Sequence, residues 1–374
     1  MRRLDLQAQT LYAELLQRVL SDSIASTVEK LGRSFVTKRI GTKTYWYLQH
    51  RQASGMKQTY LGPDSPELLN VIASIRAASK SLEPDINRRK ELCGAIRAMG
   101  FPKWPRPFVS TLETLANSGV FHLGAILIGT PAYVTCITAL GYRSDIGTTL
   151  TGDIDLQIGG SLQASIPGAK AINISNVLDR VKLGFFPVPG LDPRSPSTTF
   201  KVRDGDLMVQ FLTVDSTNAR KPIYVRELGT AAQPMPYMEF LTPEPMKAVL
   251  PFDAGILVNV PNPARLAWHK LIVARNRPQY ERTKAQKDVE QAADLISILA
   301  HSDIDTLTHL FLDAYKRGGK WAARLTGGIA RLKSQRHDAF ELIQPILERH
   351  LTADDKKKDL FRIRNVTAAR NSKN

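Results

Sequence analysis

Two aspartates, Asp153 and Asp155, stand one residue apart in the stretch TLTGDIDLQI, residues 149–158. Apolar residues alternate with them, which is a strand pattern, and on a strand residues i and i+2 share a face. Ile154 and Leu156 then turn to the core and the two carboxylates point together the other way. Like charges so close hold their protons unless a cation intervenes. Hard cations such as Mg²⁺ prefer oxygen ligands, so a divalent metal site is the chemical reading. The same pattern also describes a half-exposed strand with two solvated acids.

A second stretch, GVFHLGAILIGTPAYVTCITALGY at residues 119–142, carries no Asp, Glu, Lys or Arg. It is long enough to span a bilayer, but Gly129, Thr130 and Pro131 punctuate its middle. Thr130 suits an N-cap and Pro131 the first helical position. The punctuation predicts a buried strand, HLGAILIG, followed by a buried helix, PAYVTCITALG, and no membrane span. Gly129 has no Cβ, so a phosphate can approach its backbone closely. Thr130 adds a hydroxyl, and the helix N-terminus adds unpaired N–H groups and a favourable dipole. A phosphate turn with a carboxylate pair on a later strand is the layout of nucleotidyl transfer, in which metal ions clamp the attacking and leaving oxygens.

The elements that must position these residues are legible at low resolution. The chain has 374 residues, 43% of them hydrophobic and 23% charged, enough for more than one core. Residues 1–100 predict a long helix over 4–30, a small basic antiparallel sheet, and a helix opened by Pro66 that runs towards residue 100. The sheet has turns at Gly41-Thr42 and Ser54-Gly55. A Pro-rich connector, GFPKWPRP, covers 100–107. Residues 108–260 alternate helices and strands, with a helix near 172–183 and then a hairpin, FKVRDGDLMVQFLTV, turning at Asp204-Gly205; LVNVPNPARLAWHKLIVARNR closes the region. From 261 to 374 the patterns are helical, with Asn262 and Pro263 as cap and first residue. RGGK and TGG break these helices, and the end is a basic frayed tail. There is no internal repeat.

The formal net charge of +16 attracts polyanions: nucleic acid, nucleotides or anionic membrane. A basic enzyme whose charge serves solubility is the alternative. Lys38, Arg39, Tyr45, Trp46, Tyr47 and Tyr60 of the small sheet suit nucleic-acid backbone contact and base stacking, or else fill a docking module. Two cysteines, Cys93 and Cys136, make neither a disulfide framework nor a zinc pattern. Asp5 and Glu14 interrupt any apolar signal region. The expected compartment is a reducing cytoplasm.

The ordered set SFVTKRIGTKTYWYLQ…KQTYLGP, GT…GDIDL and ARLAWHKLIVARNR, spanning residues 34–277, resembles a bacterial family of the nucleotidyltransferase superfamily. The resemblance implies an α+β fold. It would have a nucleotidyltransferase-type mixed sheet, an N-terminal helix and meander module, and a C-terminal helical region. It implies a nucleoside triphosphate beside Gly129 and Thr130, and Mg²⁺ or Mn²⁺ on Asp153 and Asp155. Basic residues of the helix over ARLAWHKLIVARNR would meet the triphosphate, with Lys270 and Arg277 seven apart on one face, and Arg265 and His269 on a neighbouring one. The family takes a third carboxylate from a later strand; here that position is Gln210. A glutamine offers a carbonyl oxygen but cannot act as a general base. Asp206, four residues back on the same strand face, Asp215 and Glu239 are substitutes. Two functions are then in view. One is an enzyme moving a nucleoside monophosphate to a hydroxyl of RNA, protein or a small molecule. The other is a weakened nucleotide- and nucleic-acid-binding protein.

Overall fold

The computed structural model describes residues 1–30, 34–41, 43–52, 55–80, 82–143, 152–159, 172–190, 196–215 and 221–351. The tail over 354–374, and Thr42 and Ser54 of the two meander turns, lie outside these residues.

A two-residue strand β1 (Arg2–Arg3) precedes the long helix α1 (Leu6–Lys30). The antiparallel meander follows: β2 (Ser34–Ile40), β3 (Lys43–Gln52) and β4 (Gly55–Pro63). The helical stretch opened by Pro66 and running towards residue 100 comprises α2 (Pro66–Lys80) and α3 (Leu82–Ala98), with Ser81 between them outside the described residues. Ala8, Tyr12, Leu15 and Val19 of α1 recur at helical spacing. They pack with Leu92, Cys93 and Ile96 of α3, and with Phe101 and Val249, into a small core. The Tyr12 hydroxyl donates to the Val249 carbonyl and accepts from its N–H, both at 3.1 Å. The helices of the N-terminal module are thereby bound to the rest of the chain.

The central region begins with α4 (Arg106–Asn117), β5 (Ile126–Leu127), α5 (Gly129–Ala139) and β6 (Tyr142–Arg143), which pairs with β1. It continues with β7 (Asp153–Ile158), α6 (Ile174–Asp179), β8 (Phe185–Pro187), β9 (Thr199–Val202) and β10 (Met208–Val214). Then come β11 (Ile223–Val225), β12 (Thr230–Met235), β13 (Met246–Leu250) and β14 (Ile256–Val260). The main sheet runs β11-β12-β10-β7-β5, with the β8-β9 hairpin joined to β10. β7 and β12 lie parallel to β10 and the other pairings are antiparallel. This is a mixed sheet, as the sequence implies. The strand expected over HLGAILIG is shorter than read, because residues 118–124 close in turns and only Ile126 and Leu127 join the ladder.

The C-terminal helices are α7 (Pro263–Asn276), α8 (Arg282–Ser302), α9 (Ile304–Lys316), α10 (Gly319–Gln335) and α11 (His337–His350). The Asn262 side chain caps α7 by accepting from the N–H of Ala264 and of Arg265. RGGK does separate α9 from α10. TGG does not break a helix: Gly327 and Gly328 lie buried inside α10. A Cβ at Gly328 would strike the Leu271 carbonyl of α7, so the glycines let two helix backbones meet. Buried residues from Phe108 to Leu351 form one hydrophobic core under the sheet and these helices. Among the described residues no helix is long and apolar enough to cross a membrane. Cys136 is a fully buried core residue.

Candidate active site

Strand β7 divides its residues as the alternation demands. Ile154, Leu156 and Ile158 are fully buried, while Asp153 and Asp155 are half-buried on the opposite face. Register then fixes their neighbours. β10 sets Gln210 beside Asp155 and Met208 beside Asp153. β9 sets Thr199 beside Gln210 and Lys201 beside Met208. The result is a row Asp155–Gln210–Thr199 across three strands, spaced by about 4.8 Å per strand.

Among the described residues no third Asp, Glu, His or Cys joins the pair. Asp206 is not on the strand face. It sits in the turn before β10, because the hairpin already closes with Val202 N–H on the Leu207 carbonyl at 3.1 Å. Asp215 follows the far end of β10, with a buried Oδ1 that has no hydrogen-bond partner among the described residues. Glu239 lies in a short 3-10 turn, Met238–Phe240, held to β7 by Gln157 Nε2 donating to the Met238 carbonyl at 2.8 Å.

The phosphate turn lies against this row. The Ile128 N–H donates to the Asp155 carbonyl at 2.9 Å, so the ladder reaches the residue before α5 and leaves no room for a capping loop. The helix therefore starts at Gly129. Thr130 and Pro131 fall inside its first turn, and no side chain caps it. Gly129 has a φ of 74°, in the left-handed region that glycine alone adopts at little cost. A Cβ there would lie 3.0 Å from Asp155 Oδ2. The uncapped helix terminus and the carboxylate row are thus in direct apposition. Two contacts hold α5 to α8: Gln291 Nε2 reaches Thr130 Oγ1 at 3.5 Å, and the Tyr133 hydroxyl donates to Asp294 Oδ2 at 2.6 Å.

Lys270 and Arg277 do meet, but on an acid. Lys270 is buried and its Nζ donates to Asp288 Oδ1 at 3.1 Å. Arg277, just past the end of α7, donates from Nε to Asp288 Oδ2 at 2.7 Å and from Nη1 to Glu281 at 2.8 Å. These two cations are committed within the chain by Asp288 and Glu281, and Lys270 is interior with almost all of α7. Arg265 is likewise buried, donating to Asp313 Oδ2 at 2.7 Å. His269 is buried with Nε2 unpartnered, and burial takes its pKa down to about 3, so it stays neutral.

Besides Lys270, the cations that act on the pair come from α8. Lys284 and Lys287 oppose the burial that raises the Asp153 pKa. Burial, and then the Asp153 charge, push the Asp155 carboxyl up to about 6, against Lys270 and Lys284. Lys284, Lys287, Asp288 and Gln291 recur at i, i+3, i+4 and i+7, one stripe of a helix. That spacing was present in the sequence, but nothing there marked the stripe as the one turned to the sheet.

The donor set suits a hard divalent cation. Two carboxylates share a face, Gln210 stands in register beside Asp155, and among the described residues no His or Cys joins them. Two acids left without an ion pair among the described residues, and at raised pKa, are what a site for such an ion presents when its charge is absent.

No curated protein and no solved structure matches the chain. Residues 3–70 match a model described as a domain of unknown function (DUF6788), which covers α1 and the meander. A model described as Nucleotidyltransferase matches residues 106–316, from α4 through α9. That span holds the phosphate turn, the carboxylate row and the α8 stripe together, and it is more than half of the 374 residues: the chain belongs to this nucleotidyltransferase family.

Proposed function

We propose that this protein transfers a nucleoside monophosphate from a nucleoside triphosphate to an acceptor hydroxyl, using a divalent cation held by Asp153 and Asp155. The observation that carries the reading is the apposition of Gly129 and Asp155, which sets an uncapped helix terminus against the carboxylate row. Bound there, Mg²⁺ or Mn²⁺ would neutralise phosphate charge and polarise the phosphorus under attack. The chain's own residues do the rest. Backbone N–H groups at Gly129 and Thr130 take a phosphate oxygen. Lys284 and Lys287 balance triphosphate charge, while Lys270 and Arg277 are paired to Asp288. Gln210 accepts a hydrogen bond from the acceptor hydroxyl and orients it, but does not take its proton. The acceptor oxygen bonds to the α-phosphorus, the bridge to the β-phosphate breaks, pyrophosphate leaves, and the proton passes to solvent. Gln210 makes this a slow enzyme.

RNA is the acceptor that the surface favours. The described side chains of the meander are exposed or half-buried and fill no core. Tyr60 stacks edge-on with Tyr47 at 5.5 Å and remains 54% exposed, and Lys38 stands over the Tyr47 ring. That favours base stacking over the docking alternative. The test is to incubate the full chain with each α-labelled triphosphate, Mg²⁺ or Mn²⁺, and total RNA and protein. Metal-dependent label on RNA is expected. Label on protein alone would move the acceptor, and no label with either metal would remove the enzymatic reading.

A further inference from the structure

We propose that the chain carries a second ligand site, an arginine-lined cavity on the far side of α8 that takes an organic phosphate of nucleotide size without metal. The cavity has a volume of about 500 Å³ and lies among the α7–α8 connection, α8 and α10. Arg277, Arg282 and Arg331 line it with Gln279, Gln286 and Gln335, and no acidic side chain does. Its place on α8 separates it from the carboxylate row. At 100° per residue, Arg282 and Gln286 point opposite to the stripe of Lys284, Lys287, Asp288 and Gln291.

The charges in this cavity are unbalanced. Arg282 and Arg331 make no ion pair among the described residues. Arg331 Nη1 donates to the Ala274 carbonyl at 2.6 Å, which fixes the guanidinium in place. Its pKa is lowered by burial and then by the like charges of Arg275 and Arg282. Glu281, next to Arg282 in sequence, is taken by Arg277 and Lys284. Arg277 is paired with Asp288 and Glu281, but Arg282 and Arg331, held close without a counter-ion among the described residues, are a standing demand for an anion. Their planar forks match phosphate oxygens two at a time. The volume is that of small-molecule sites and exceeds what a lone phosphate needs. The three glutamine amides offer donors and acceptors for a sugar and base. A concave cavity of this size suits a nucleotide better than a nucleic-acid strand, which needs a groove.

The test is calorimetric titration of the full chain with ATP in EDTA. ATP is expected to bind wild type and Asp155→Asn equally, and adenosine neither. Arg282→Gln and Arg331→Gln should each weaken ATP binding by about tenfold, the scale of one charged hydrogen bond. Arg282 is exposed, so Arg282→Gln keeps the fold and decides the matter if Arg331→Gln does not. Absence of ATP binding in EDTA, unchanged affinity in Arg282→Gln, equal binding of adenosine, or binding of a short RNA strand without binding of ATP would each overturn the proposal. Because the assay omits metal, its failure leaves the Asp153–Asp155 reading untouched.

Discussion

Asp288 and Asp155 are both carboxylates enclosed by the same helices and sheet, and they are treated in opposite ways. Asp288 has two cations for one charge, Lys270 at 3.1 Å and Arg277 at 2.7 Å. Asp155 shares its face with a second carboxylate, is pressed by a glycine backbone, and is held up to about 6 by burial and by Asp153. A buried charge with its partners in place is structure. A half-buried carboxylate with a raised pKa and no ion pair among the described residues is a candidate for a functional site. Lys270 sits between the two, bonded to one acid and acting through space on the other.

The widest break in this comparison comes from removing each charge in turn. Asp155→Asn should lower transfer by on the order of a thousandfold or more, since a metal site supplies several kcal/mol of charge stabilisation. It should also raise the unfolding free energy at pH 7.5 by roughly 2 kcal/mol, because its ionised form is costly in the fold. Asp288→Asn should do the reverse to stability, costing about 3–5 kcal/mol in urea unfolding by leaving Lys270 buried and unpaired. If Asp288→Asn is neutral and Asp155→Asn unfolds the chain, the assignment of the two acids is inverted. Next comes Gln210, the neutral member of the row. Gln210→Asp should raise the transfer rate by roughly 10²–10⁴-fold through a positioned base; lost activity in that variant would mean that Gln210 belongs to a site of another design. The smallest effect is in pH. The folded pKa of Asp155, about 6, exceeds its unfolded value near 4. Its contribution to stability is therefore full below about pH 4, falls as pH rises to about 6, and is constant above. Thermal unfolding without metal should show this decline, and millimolar Mn²⁺ should reverse it.

Much of this was legible before any coordinates. Alternation around Asp153 and Asp155 fixed their face, because period two allows only two choices. Asn262-Pro263 announced the start of α7, because capping is local chemistry. The position of Gln210 followed from the family resemblance, and strand register places it beside Asp155. What was not legible depends on the far side of a contact. Lys270 reads as a triphosphate contact, and only the packing of α7 into the interior makes it a buried ion pair. The Lys284–Gln291 stripe is one of several polar faces on α8. TGG reads as a break, and only Leu271 across the helix interface shows why it is not. Thr130 reads as a cap until the β5–β7 ladder reaches Ile128 and shifts the start of the helix to Gly129.

We propose that Asp153 and Asp155 receive a divalent cation. Mn²⁺ binding followed by electron paramagnetic resonance tests it most directly, since the signal of free Mn²⁺ falls as the ion binds. Wild type should bind Mn²⁺ at pH 7.5, more tightly once a triphosphate is added, with affinity falling about tenfold per pH unit below 6 as protons compete for Asp155. Asp155→Asn should bind it at least tenfold more weakly. Equal Mn²⁺ binding by Asp155→Asn and wild type, with or without triphosphate, would contradict the account.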